Sequence, residues 1–225
     1  MTLDTVTLSW RRPDVLRSCL LAILENTSDR LRHMYVVVNE AQPHHSRLLG
    51  ISDKIKLILL PQNEGVVARN YALKISDADY IGQVDDDVIV NPAWDEKAFD
   101  MIGQDVQGVG DDGSWVIPDL SNFCLPDKKP QHGDFCDVLA GYCWIFQNGR
   151  FLYDESFGKH WHEETAIQFT MREYGYRFKR CIGMCRHEHR GKPNYWMEYH
   201  DPNIKKIQAK WLHRIDELHL EVPKK

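Results

Sequence analysis

Apolar and polar positions alternate along residues 4–10, "DTVTLSW", with the period of two that marks a strand. The next segment, "RPDVLRSCLLAILENT", changes period: Val15, Leu16, Cys19, Leu20, Ile23 and Leu24 recur at helical spacing behind a Pro13-Asp14 start. "HMYVVVNEA" and "IKLILLPQN" are nearly continuous apolar runs and predict strands covered on both faces. "GVVARNYALKIS" predicts a helix striped by Val67, Tyr71 and Ile75, and "DYIGQV" predicts a fourth strand. Strands separated by helical patterns of this length imply βαβ units, hence an α/β fold with a mostly parallel sheet.

Periodicity then fades. "GDDGSWVIPDLSNFCLPDKKPQHGDF" reads as a long loop, of the kind that is either functional or disordered in a compact domain. "DVLAGYCWIFQ" predicts a strand, and "EETAIQFTMREY" a helix closed by Gly175 as a left-handed cap. In "NIKKIQAKWLHRIDEL" the residues Ile204, Ile207, Trp211, Ile215 and Leu218 form one apolar stripe. The mixed charge around that stripe favours packing on the core over pairing with a second subunit or lying on a membrane surface. No repeat, low-complexity tract or clean boundary interrupts the chain, so residues 1–225 predict a single domain.

Composition narrows the classes. A hydrophobic content of 43% over 225 residues can bury a full core. Lys plus Arg number 28 against 33 Asp plus Glu, a net charge of -5, which argues against a general nucleic-acid backbone binder. The first residues hold no charged segment followed by an apolar one, and no run approaches bilayer-spanning length, so a soluble, cytoplasmic protein is expected. Cys19, Cys124, Cys136, Cys143, Cys181 and Cys185 are scattered through a chain too large to need stapling and predict free thiols.

The chemistry concentrates in "YIGQVDDDVIVNP", where Asp85, Asp86 and Asp87 separate two apolar runs. Adjacent carboxylates repel and are costly to desolvate, so a half-buried cluster needs a cation or strong donors beside it. Strand alternation would face Asp85 and Asp87 toward one ion and turn Asp86 away. Such hard oxygen ligands suit Mg2+ or Mn2+, while the plain alternative is an acidic surface turn. In parallel sheets ligands bind beyond the carboxyl ends of the strands, where residues 9–12, 39–42, 62–65 and 85–87 all fall. Farther on, Cys181, Cys185, His187 and His189 allow a zinc reading, but their spacing is unlike the usual paired-ligand patterns. Trp144, Trp161 and Trp196 are candidates to stack on a sugar, although each is more often core or rim.

Five segments, in order, resemble those of the nucleotide-sugar glycosyltransferases of the GT-A fold, most closely glycosyltransferase family 2. They are "VTLSWRRPDVLRSCLLAIL", "YVVVNEA", "QNEGVVARNYAL", "YIGQVDDD" and "HEETAIQF...GYRF". The resemblance covers nearly the whole chain. It implies a Rossmann-like nucleotide-diphospho-sugar transferase with a nucleotide-binding half (1–110), an acceptor and catalytic half (111–200) and a C-terminal amphipathic helix (201–225).

The resemblance also implies roles. Ser9, Arg11 and Asn39 would line the nucleobase pocket. Asn63, Gly65 and Arg69 would lie near ribose and diphosphate, with Gly141 also in the donor site. Asp86 would meet the ribose, and Asp87, with Asp85 and either His187 or His189, would hold Mn2+ or Mg2+. An inverting transfer needs a carboxylate on the acceptor hydroxyl, opposite the leaving diphosphate. Glu164 matches that base, with Glu163 the second candidate. Two positions depart from the family: Asn39 replaces the usual Asp, and Glu164 carries one methylene more than the usual Asp. The implied partners are a nucleotide-sugar donor, UDP-sugar favoured, and a carbohydrate or glycoconjugate acceptor met by residues 111–137 and the segment after Gly191. A non-catalytic carbohydrate-binding relative is the main rival. A sugar nucleotidyltransferase is disfavoured, because "SWRRP" stands where its Gly-rich loop belongs.

Overall fold

The computed structural model describes residues 1–121, 128–157, 162–188 and 196–221, with the side chains of residues 44 and 196–200 excepted. Strands β1 (Leu3–Trp10), β2 (Leu31–Asn39), β3 (Ile55–Leu59) and β4 (Tyr80–Val84) alternate with helices α1 (Pro13–Asn26) and α2 (Asn70–Ile75). Then follow β5 (Val88–Val90), α3 (Trp94–Phe99), β6 (Gly108–Gly110), β7 (Gly113–Ser114), β8 (Phe135–Cys136), β9 (Val138–Leu139) and β10 (Cys143–Gln147). The chain continues through α4 (Glu163–Glu173), β11 (Phe178–Arg180), β12 (Cys185–His187) and α5 (Trp196–Trp211).

Among the described residues one eight-stranded sheet runs β3-β2-β1-β4-β10-β6-β11-β8. The first four strands are mutually parallel, as their βαβ spacing requires; β10 enters antiparallel between β4 and β6. β2 shows how the sheet builds two layers. Val36 and Val38 join α1, Trp94 and Ala98 on one face, while Tyr35 and Val37 join Leu73, Trp144, Ile167 and Phe178 on the other. Two further small sheets, β5-β12 and β7-β9, lie outside the main one.

Two sequence expectations are corrected, and one open alternative is decided. The stripe Val67-Tyr71-Ile75 does not face the core: Tyr71 and Ile75 are exposed, and Ala72 and Leu73 are buried instead. The cause is a 3-10 turn over Val66–Arg69, which advances the chain faster per residue than an α-helix and shifts the phase. The run "DVLAGYCWIFQ" is not one strand, because it breaks at residues 140–142 between β9 and β10. Trp144 is fully buried, stacked 4.2 Å from Phe146, and belongs to the core rather than to a sugar platform. Trp161, His189 and the side chain of Trp196 lie outside the described residues.

The C-terminal stripe packs as its charge pattern implied. Ile207, Trp211 and Leu218 are fully buried against Ala166 and Phe169 of α4 and Val116, Leu120 and Phe157. Arg172 of α4, itself buried, donates from Nε to the Leu218 carbonyl at 2.7 Å and from its terminal nitrogens to the Cys136 and His219 carbonyls, tying the chain end to the helix that carries the candidate base. Among the described residues the cysteines are free, and no helix is long and apolar enough to cross a membrane. Trp211 lies edge-on to Phe169, and its indole N–H donates to Glu173 at 2.6 Å. Trp211→Ala therefore costs about 3 to 5 kcal/mol, read by urea unfolding.

Candidate active site

The three aspartates sit just past the carboxyl end of β4, and the expected alternation does not apply to them. The strand ends at Val84, and a turn follows in which the Val88 N–H donates to the Asp85 carbonyl at 3.1 Å. Each carboxylate leaves the turn in its own direction. Asp86 is buried; it accepts from the Ser9 hydroxyl at 2.6 Å and pairs with the Arg12 guanidinium. Asp87 accepts from Arg12 at 2.9 Å and lies 3.2 Å from the Nε2 of His187. Asp85 pairs with Arg69, whose Nη1 is also 3.6 Å from Glu164. Thus Asp86 and Asp87 share a cation, while Asp85 turns toward the helix with the candidate base.

Register delivers His187 from a distance of 100 residues. In the antiparallel pair of β12 with β5, His187 stands opposite Val88, the residue after Asp87, and the Glu188 N–H donates to the Asp87 carbonyl at 2.9 Å. Gly141 delivers Glu164. A Cβ at Gly141 would come within 2.3 Å of the Glu164 Cγ, so the side chain occupies space that only glycine leaves open. The Gly141 carbonyl is held by Gln83 Nε2 at 2.5 Å, and Gln83 in turn accepts from the hydroxyl of Tyr153. Glu163, next on the helix, is buried with its Oε2 lacking a hydrogen-bond partner.

The other sequence candidates form the rim. Asn39 is buried and ties a loop down: its amide donates to the Gly65 carbonyl and accepts from the Glu64 N–H, each at 3.1 Å. Asn63 accepts from the Gly65 N–H at 2.8 Å, and Gly65 takes φ 75°, ψ -155°, a conformation nearly restricted to glycine. Arg11 points away from the aspartates and pairs with Glu40 at 2.5 Å on the surface. Arg12, which the sequence reading did not single out, is the residue that meets the aspartate turn. Two neighbouring arginines after one strand carry no local signal as to which turns inward. Here Arg11 adopts a left-handed φ of 58°, and the turn this makes sends Arg12 back across the strand end.

Burial and charge sort the acids. Burial raises Asp86 to about 6 despite Arg12 and the Ser9 hydrogen bond, and it raises Asp85 despite Arg69. Asp87 is the exception: burial pushes it up, but the His187 hydrogen bond and the Arg12 charge outweigh that, so it falls below the usual range and stays ionised. Glu164 is raised by burial against the pull of Arg69, and Glu163 is raised well above the ordinary value by burial and by the charge of Glu164.

Five carboxyl groups thus face two guanidinium groups and one imidazole, an excess of negative charge that an additional cation would balance. An ionised carboxylate beside an imidazole nitrogen is a donor set that fits Mn2+ or Mg2+. Among the described residues no group of three or more His, Cys, Asp or Glu side chains converges to enclose a metal, neither Cys181, Cys185 and His187 of the zinc reading nor Asp85, Asp87 and His187, so what the site offers an ion is the pair Asp87 and His187.

A mostly parallel sheet carrying an aspartate turn at its strand ends, faced by an acidic helix start, has the architecture of the GT-A fold. Residues 5–171 match the profile of glycosyl transferase family 2, and the chain belongs to that family. The crystal structure of GalNAc-T7 with UDP, GalNAc and Mn2+ superposes with a TM-score of 0.70 at 12% identity, covering 96% of this chain and 50% of that one. The mannosyltransferase PcManGT from Pyrobaculum calidifontis, in complex with GDP-Man and Mn2+, superposes with a TM-score of 0.60 at 12% identity, covering 96% of this chain and 72% of that one. The chain therefore spans about half the length of the first of these relatives. No curated protein sequence matches it.

The glycine at 65 gives a direct check of the rim geometry. Gly65→Ala should cost about 1 to 3 kcal/mol in urea unfolding. Gly103→Ala, with open space around the added methyl and an ordinary φ, should stay within about 0.5 kcal/mol of wild type.

Proposed function

We propose that the protein is an inverting, metal-dependent glycosyltransferase that moves a hexosyl or related group from a nucleotide-diphosphate donor, a UDP-sugar in preference, to a hydroxyl of a carbohydrate or glycoconjugate acceptor. One observation carries the reading. Arg69, buried under the site, pairs with Asp85 of the aspartate turn and lies 3.6 Å from Glu164 of α4. A cation-attracting turn and a carboxylate of raised pKa thereby share one short stretch of surface, at the strand ends where a nucleotide belongs.

Each residue then has a task. Ser9, Arg11 and Asn39 form the nucleobase side, Asn39 acting through the 64–65 loop it ties down. Asn63, Gly65 and Arg69 border the ribose and diphosphate, and Asp86 fixes the strand end against Ser9 and Arg12. Asp87 and His187 would hold Mn2+ or Mg2+, with Asp85 beside them; the ion supplies charge neutralisation for the leaving diphosphate. Glu164 accepts the proton of the acceptor hydroxyl as it attacks the anomeric carbon opposite the diphosphate. Its raised pKa brings it nearer to working pH, where a general base is most effective. Glu163, raised well above the ordinary carboxylate value by burial and by the charge of Glu164, is the second candidate for the base.

Two measurements test this. Glu164→Gln should abolish sugar transfer while leaving donor binding unchanged, and the wild-type rate should rise with pH along a limb above the ordinary carboxylate range, since the base works only when ionised. Transfer retained in Glu164→Gln removes the assignment. In a melting panel of UDP-, GDP-, dTDP- and CMP-sugars, one nucleotide class at about a hundredfold its Kd should stabilise the fold by about 2.7 kcal/mol with Mn2+, and EDTA should abolish the shift. No shift with any donor would favour the non-catalytic relative.

A further inference from the structure

Asp111 opens the loop expected to meet the acceptor and Tyr142 has no role in that expectation, but the two share a contact of their own. Asp111 follows β6 and leads into the long loop. Its Oδ1 accepts from three consecutive backbone N–H groups, those of Gly183 at 3.1 Å, Met184 at 2.7 Å and Cys185 at 3.2 Å. Its Oδ2 accepts from the Tyr142 hydroxyl at 3.2 Å. One carboxylate thus holds both the turn that opens β12 and the tyrosine beside it.

Both holds end at the same imidazole. β12 runs from the captured turn to His187, and the ring of Tyr142 stacks on the His187 ring with centroids 4.4 Å apart and planes inclined by 26°. The edge of the imidazole meets the turn of aspartates, with Nε2 3.2 Å from Asp87. Groups that orient a metal-ligating histidine without touching the ion set its affinity as surely as the ligand does.

We propose that Asp111 and Tyr142 are positioning residues for the cation site: together they fix the height and the ring plane of His187 against Asp87. The inference rests on the metal reading given above. Three N–H groups gathered on one carboxylate leave the 183–185 turn no freedom to drift. The stacked ring of Tyr142 restricts rotation of the imidazole about its side chain. Tyr142 also sits beside Gly141, whose open space admits Glu164, so one short segment orients the candidate base and the candidate ligand.

The test is Mn2+ affinity, followed by the electron paramagnetic resonance of free Mn2+ as protein is titrated in, alone and with UDP or GDP. Asp111→Ala and Tyr142→Leu are each made in the wild type and in His187→Ala. In the wild-type background each should weaken Mn2+ binding about tenfold or more. In the His187→Ala background each should change it less than about twofold, because the residue through which they act is gone. Tyr142→Phe keeps the stacking face and should stay within about threefold of wild type; with Tyr142→Leu it carries the test if Asp111→Ala does not fold. Equal losses in both backgrounds, or no loss where His187→Ala itself weakens binding, overturn the inference and leave the metal assignment standing. If His187→Ala has no effect on Mn2+, the metal assignment fails and this inference falls with it.

Discussion

The site depends on how two buried or half-buried guanidinium groups answer five crowded carboxyl groups. Arg69 is 3% exposed, and a buried arginine without partners would cost several kcal/mol, so its pairing with Asp85 and its approach to Glu164 are conditions of the fold as well as features of the site. Arg12 does the same for Asp86 and Asp87 from the other flank. The compensation is incomplete, and it is uneven. Asp87, ionised beside an imidazole, is the carboxylate left best prepared for a divalent cation, while burial and the charge of Glu164 push Glu163 well above the ordinary carboxylate value.

The sheet order is what lets these groups meet. β1 and β4 are neighbours and parallel, so Ser9 and Arg12 at one strand end stand beside the aspartates at the other. β10 returns antiparallel on the far side of β4, so its entry, at Gly141 and Tyr142, lies at that same edge; the Asp85 N–H donates to the Tyr142 carbonyl at 2.8 Å. The pair β5-β12 then lays His187 over Asp87. Contacts 74 to 100 residues apart in sequence are thereby brought within hydrogen-bond reach.

Part of the site was legible because its residue types are informative in themselves. Three aspartates between apolar runs carry their chemistry in their composition and position, while the glutamates opening a helix and Arg69 after the Gly-containing loop were legible through the family resemblance. What was not legible lies in direction. The choice of Arg12 over Arg11 follows from a left-handed residue at the strand end, and the separate aims of Asp85, Asp86 and Asp87 follow from a turn where strand alternation no longer holds. The outward stripe of Tyr71 and Ile75 had the same origin, a 3-10 turn that rotates the helix phase.

The sequence by itself determined the class of fold and the order of its elements, since period two and period 3.6 are local properties of the chain. It also determined that the C-terminal stripe is apolar on one side, and that carboxylates gather at a strand end. Only the tertiary structure decided which cation serves which acid, that Gly141 opens the space for Glu164, and that Asp111 and Tyr142 stand behind His187. Those depend on sheet order and on register between distant strands. Both arise from packing the whole chain at once, and no local pattern encodes them.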